Sequence, residues 1–194
     1  MPARNAILFM TDQFNANSMG FVNSKVKTPN LDRLAGKGVC FDRAYCPVPI
    51  CAPSRSCLIR GQYAHSTRIE ANDIYDLDVP VDDVLPNVLQ KRGFKTGIVG
   101  KAHLAATWTD AFEYRRLTDL ADAPALDPTT CHYFQYLVDR NLAGYYEEGN
   151  ARPGAPDPDD GSRPSDLPYE HSIERFTGDH AVAFLEQQVE DHRP

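Results

Sequence analysis

One cysteine, one carboxylate and three cationic or titratable side chains carry the chemistry open to this sequence. Cys51 opens the run Cys51-Ala52-Pro53-Ser54-Arg55-Ser56, with proline at its second following position and arginine at its fourth. A cysteine thiolate is a good nucleophile near neutral pH, and an arginine is an always-charged fork that can hold an anion. Read alone, Arg55 is equally a solvated arginine on a helix face. Lys101 and His103 stand two apart in Gly100-Lys101-Ala102-His103-Leu104. On an extended segment such residues point the same way, so both can reach one ligand. Lysine then supplies a compact positive charge, and histidine a donor poised near neutral pH. Asp12, in Met10-Thr11-Asp12-Gln13, is either a turn cap after a strand or a functional carboxylate.

The elements that must position these residues alternate strand and helix over the first hundred residues, the pattern of a mostly parallel sheet covered on both faces. Residues 6–10 are a continuous apolar run suited to a buried central strand. Thr28 and Pro29 open a helix with an apolar stripe of Leu31, Leu34 and Ala35, stopped by Gly36 and Gly38. Residues 39–45 read as a second strand. Pro53 and Ser54 open a short helix that runs through Leu58 to Arg60 and closes at Gly61. A helix over 86–92 ends at Gly93, and 95–99 is another buried strand. In open α/β sheets the ligand site lies beyond the carboxyl ends of the strands, so Asp12 and the Lys101–His103 pair are expected at one edge.

The periodicity from 105 to 150 is weak apart from a helix over 133–142, whose aromatic residues read as core. Residues 151–168 hold five prolines and form a proline-rich surface loop. A last helix is expected over 171–189 despite Gly178. His65, His132, His171 and His180 are read as surface or structural.

Composition narrows the partners. The chain has 194 residues, 42% hydrophobic and 24% charged, enough for a substantial core. Its 20 basic and 27 acidic side chains give a net charge of -7, which argues against nucleic acid, so an anionic ligand needs locally focused positive charge. The sequence shows no apolar run of the ~18 residues a membrane span needs and no signal-peptide pattern. No membrane partner and a cytoplasmic location are the expectation. The 5 cysteines, Cys40, Cys46, Cys51, Cys57 and Cys131, are odd in number and lack the tight pairs of structural zinc sites.

Three short motifs in order are more specific than any one. The run from Cys51 through Gly61 to Gln62, with Met10-Thr11-Asp12-Gln13 upstream and Gly100-Lys101-Ala102-His103-Leu104 downstream, resembles the type I sulfatases of the alkaline-phosphatase superfamily. The likeness covers nearly all of residues 1–194 and corresponds to the N-terminal part of that catalytic domain. It implies an α/β fold, an alkaline-phosphatase-like and mostly parallel sheet flanked by helices, truncated before a central strand.

The resemblance also implies a mechanism. A formylglycine-generating enzyme would oxidise Cys51 to Cα-formylglycine, whose hydrate attacks the sulfur of a small-molecule sulfate ester with one hydroxyl and releases sulfate through the other. Asp12 and the group derived from Cys51 would be metal ligands, because a divalent cation makes the attacking hydroxyl acidic. Arg55 would fix the hydrate, and Lys101 and His103 would contact it and the sulfate oxygens. The single aspartate of Thr11-Asp12-Gln13 resembles the choline-sulfatase and phosphonate-monoester-hydrolase branches, leaving the cation between calcium and a manganese-like ion. A phosphonate monoester or phosphodiester hydrolase is therefore the alternative, as is an inactive truncated form, since the family's later metal ligands have no counterpart in a convincing context. Asp179-His180 has suitable letters but falls inside the last expected helix. A homo-oligomer is possible.

Overall fold

The computed structural model describes residues 5–72, 80–119, 131–145 and 165–191. Helix α1, Pro29–Ala35, starts as expected with proline at its first position, but it contains no buried residue. Its anticipated apolar stripe therefore makes no core. Thr28 does not cap the helix backbone. Its hydroxyl donates to Asp32 and accepts from the Gly20 amide, both at 2.7 Å, tying the helix start to the preceding loop.

Helix α2, Cys51–Arg60, is the best-packed early element, burying Ala52, Pro53, Arg55, Ser56 and Cys57. It starts at Cys51, two residues before the expected opening at Pro53. Proline is tolerated in the first turn because its missing N–H has no intrahelical partner there. Gly61, at φ 62°, takes the left-handed position that ends the helix, and its N–H bonds the Cys57 carbonyl. A short helix α3, Ala64–Thr67, follows, and α4 spans Leu85–Gln90 with a proline in its first turn.

The sheet that the described residues form has two strands, β1 (Gly97–Gly100) and β2 (Tyr114–Leu117). They run parallel, with Gly97 opposite Tyr114 and Gly100 opposite Leu117, and helix α5 (Ala106–Asp110) lies in the crossover. Two later helices are α6, His132–Val138, and α7, Ile173–Asp191, the latter preceded by a 3-10 turn at Tyr169–His171.

α7 begins two residues later than expected because Ser172, whose hydroxyl accepts from the Arg175 amide, provides the start. It lies on β1 at very short range. A Cβ on Gly97 would fall 2.7 Å from the Phe184 ring, and one on Gly100 3.3 Å from Thr177.

Two hydrophobic clusters support this frame. Ala52, Ile69, Val84, Leu104, Ala105 and Trp108 join α2 to the α4–α5 region, with the Trp108 indole N–H donating to the Pro80 carbonyl at 2.9 Å. Cys131, Tyr133, Phe134, Leu137 and Phe176 join α6 to α7. The aromatic residues of the 133–142 segment are thus core, although the helix itself stops at Val138 and Asn141 turns left-handed at φ 57°.

Two expected strands do not form. Residues 5–10 and 39–45 carry no strand, and their large apolar side chains face outward: Phe9 is 76% exposed and Phe41 78%. An apolar run becomes a buried strand only when other strands pair with its edges and helices cover its faces. Among the described residues the sheet consists of β1 and β2, and neither segment pairs with it. The anticipated loop lies outside the described residues over 151–164. Among the described residues, no helix is long and apolar enough to cross a membrane.

Candidate functional site

β1 ends at Gly100, which has φ 99°. The chain leaves the sheet there and carries Lys101 over the first turn of α2. Lys101 Nζ lies 3.6 Å from Cys51 Sγ and 3.1 Å from Asp12 Oδ2. Cys51 Sγ is itself 3.7 Å from Asp12 Oδ1. One turn further along α2, the buried Arg55 guanidinium donates to the Lys101 carbonyl at 2.5 Å and faces Asp12 Oδ2 at 3.5 Å. Residues 39 to 50 positions apart thus meet at one point, above the start of a helix and beyond the end of a strand.

The side chains come from three places, Cys51 and Arg55 from α2, Lys101 from the turn after β1 and Asp12 from the amino-terminal segment. Ser54 N–H bonds the Ile50 carbonyl at 3.0 Å, which sets the first turn of α2, and the Ala52 N–H is taken up by the Asn72 side chain at 3.0 Å. Arg55 is held by burial beneath the turn that follows β1. Asp12 belongs to the exposed amino-terminal segment, where its Oδ1 accepts from the Gln13 amide at 2.8 Å.

Charge is concentrated here despite the acidic whole. Burial pushes the Asp12 carboxyl up, but the Lys101 hydrogen bond, the Gln13 amide and the charges of Lys101 and Arg55 outweigh it, leaving Asp12 below its ordinary 3.8. Burial pushes Lys101 down, whereas its hydrogen bond to Asp12 and the charges of Asp12 and Cys51 raise it above 10.5. Lys101 is therefore an ammonium at neutral pH, suited to holding an anion and unsuited to taking a proton.

His103 enters differently. It is buried, and its backbone lies in the left-handed region at φ 44°, where a side chain other than glycine is strained. Its N–H donates at 3.0 Å to Asp119, and the Ala102 N–H donates to the other Asp119 oxygen at 3.1 Å.

The sequence reading missed Asp119. Its signal is positional: a carboxylate two residues beyond a parallel strand, at the edge where α/β sheets place their ligands. It was hidden because Tyr114-Arg115-Arg116-Leu117 carries two arginines and does not look like a strand. Those arginines are accommodated at the sheet's margin, Arg115 by an ion pair with Asp110 and Arg116 by stacking 4.9 Å over the Tyr114 ring. His65, His171 and His180 lie among aromatic neighbours, and His132 Nδ1 accepts from the Leu117 amide. Asp179 pairs with Arg175 on the surface of α7.

The fit to a divalent cation is partial. Asp12 supplies a hard oxygen ligand of the right type, but it already faces Lys101 and Arg55. Among the described residues no group of three or more histidine, cysteine or acidic side chains is gathered to hold a metal.

Comparison with known proteins agrees with the arrangement of the motifs. The family model described as Sulfatase matches residues 4–193. Arylsulfatase J of Mus musculus is 34% identical over 152 residues, covering 75% of this chain and 25% of that protein. N-sulphoglucosamine sulphohydrolase of Homo sapiens is 34% identical over 119 residues, 57% of this chain and 23% of that protein. N-acetylglucosamine-6-O-sulfatase of Bacteroides thetaiotaomicron is 32% identical over 102 residues, 52% of this chain and 18% of that protein. The chain thus spans between about a sixth and a quarter of the length of these relatives.

Proposed function

The chain belongs to the sulfatase family, and from that premise we propose that the residues gathered around Cys51 serve the hydrolysis of a small-molecule sulfate ester. The observation that carries this reading is the convergence of Cys51, Asp12, Arg55 and Lys101 at the joined ends of α2 and β1. It supports a nucleophile at position 51, since the Lys101 ammonium lies 3.6 Å from Cys51 Sγ in a protein whose net charge is -7.

In this reading Lys101 attracts the sulfate oxygens and stabilises the negative charge that builds on them as the ester bond breaks. Arg55 acts mainly as a brace. By holding the Lys101 carbonyl it sets where the ammonium sits, and by facing Asp12 it adds to the larger effect of Lys101 in holding that carboxyl below its ordinary value. His103 is the candidate proton donor to the leaving alcohol, at the end of the same turn. Formylglycine at position 51, once hydrated by one water, would supply two hydroxyls on one carbon, one to attack and one whose deprotonation would expel sulfate and restore the aldehyde. A divalent cation fits only if Asp12 is joined by ligands from outside the described residues, and its contribution would be to acidify an oxygen bound to it.

The experiment is turnover of an aryl sulfate and an aryl phosphonate by the full-length protein made alongside a formylglycine-generating enzyme. Sulfate turnover that is lost in Cys51→Ala and falls by about 100-fold or more in Lys101→Ala, the scale for removing one charge-stabilising donor, is the expected result. Faster cleavage of the phosphonate would move the assignment to the phosphonate branch suggested by Thr11-Asp12-Gln13. Absence of turnover of either ester by correctly converted protein would reject both.

A further inference from the structure

Asp119 takes no part in the chemistry just described, yet it grips the turn that delivers it. β1 and β2 are parallel and end level with each other at Gly100 and Leu117. Beyond that point the two chains stay tied, since Thr118 N–H bonds the Gly100 carbonyl at 3.1 Å. Asp119 then folds back across the strand ends and spreads its two oxygens over two successive amides, Ala102 at 3.1 Å and His103 at 3.0 Å. These amides face the carboxylate together because His103 is left-handed, at φ 44°. Consecutive N–H groups in such a conformation form a concave cradle for an anion. Here the cradle is filled by the protein's own carboxylate.

Without that carboxylate, a buried turn would hold two unsatisfied amides and a strained histidine, and the backbone would be free to relax to ordinary φ values. The Lys101 carbonyl, one residue before the clamp, is where Arg55 docks. Lys101 is therefore pinned from both sides: Arg55 from α2 and Asp119 from β2.

We propose that Asp119 is a positioning residue for the site, whose clamp on the Ala102 and His103 amides fixes the Lys101 ammonium beside position 51. The proposal rests on the reading of Lys101 as the charge that serves the site. Its test, however, needs no ester and no turnover, so it stands or falls apart from the assignment of the reaction.

The readout is the ratio of the Cys51 alkylation rates by anionic iodoacetate and neutral iodoacetamide, in full-length protein made without a formylglycine-generating enzyme. Mass spectrometry of the tryptic peptide 44–55 follows it, with the exposed Cys46 in the same peptide as reference. An ammonium beside position 51 attracts the anionic reagent and leaves the neutral one unaffected, so Lys101→Met is expected to lower the ratio at Cys51, relative to Cys46, by about threefold or more. Asp119→Ala is expected to lower it comparably. Adding Asp119→Ala to Lys101→Met is expected to change nothing further, a non-additivity of about threefold or more on the scale of coupled neighbours.

A fall that multiplies in the double variant, or an unchanged ratio in Asp119→Ala, overturns the proposal. Folding is monitored by protection of the buried Cys57 and Cys131. If Asp119→Ala exposes them, Asp119→Asn is read in the same cycle. It keeps one acceptor oxygen for the turn, so an intermediate, non-additive fall in the ratio supports the clamp and an independent effect contradicts it.

Discussion

The site is assembled from two regions of very different construction. Cys51, Arg55, Lys101 and Asp119 stand on or directly beyond elements packed against one another, with Trp108 1% exposed at the centre of the cluster beneath them. Asp12 stands on a segment whose apolar side chains face outward, Leu8 at 65% and Phe9 at 76% exposure, and it is bound to the rest by its charge contacts. The difference teaches that local sequence suffices to form a capped helix, whereas a central strand takes its structure from its neighbours. Half of the site is held by packing, and Asp12 is held by electrostatics.

The packed half should carry most of the stability. Trp108→Ala leaves a cavity and removes the indole donor to the Pro80 carbonyl, and it is expected to cost about 3–5 kcal/mol. Phe9→Ala removes a side chain of similar bulk from the exposed segment and should stay within about 0.5 kcal/mol. Urea midpoints for the two variants measure the contrast directly. Equal losses would mean that residues 5–10 are buried in solution.

A smaller effect is expected where α7 meets β1. Gly97→Ala places a methyl group 2.7 Å from the Phe184 ring, so the helix or the ring must shift. The expected loss is about 1–3 kcal/mol. Truncating the ring as well, in Gly97→Ala with Phe184→Leu, should recover part of it. A Gly97→Ala variant as stable as the parent would show that α7 does not rest on the strand.

The smallest effect sharpens the comparison most, because the two carboxylates should titrate on opposite sides of 3.8. Burial raises Asp119, and the amides of Ala102 and His103 with the charges of His103 and Arg55 only partly offset it. Asp12 is lowered, its burial outweighed by Lys101, Gln13 and Arg55. The signs follow from linkage. Stability from Asp12 is present above 3.8 and is lost as pH falls through its lower folded value. That from Asp119 is present below 3.8 and is lost as pH rises through its raised folded value. Carboxyl carbon chemical shifts across the acid range check both, and Lys101→Met should move Asp12 upward. If Asp12 does not move, Lys101 does not contact it in solution.

How much of this was legible in the sequence follows the same division. Helices α1, α2, α4 and α7 and strand β1 were readable because glycines, prolines and caps act locally, Gly61 at φ 62° being the clearest case. β2 and α5 were not, since a strand reading Tyr-Arg-Arg-Leu is held by pairing to β1 and by the Asp110 ion pair rather than by its own composition. Residues 6–10 and 39–45 have strand composition but no partner strand among the described residues. The motifs gave Asp12, Cys51, Arg55, Lys101 and His103 as candidates. They did not give Asp119, whose meaning appears only when two strand ends are brought level.

The central claim is that position 51 is the reactive centre, and mass spectrometry of the tryptic peptide 44–55 tests it most directly. Protein made with an aerobic formylglycine-generating enzyme should carry a hydrazide-reactive aldehyde at Cys51, while Cys46 in the same peptide and Cys40, Cys57 and Cys131 elsewhere remain thiols. Pro53→Ala, or Arg55→Ala read in the longer tryptic peptide 44–60, should reduce the conversion. A Cys51 that stays a thiol, in cells where a control sulfatase is converted, would contradict the account.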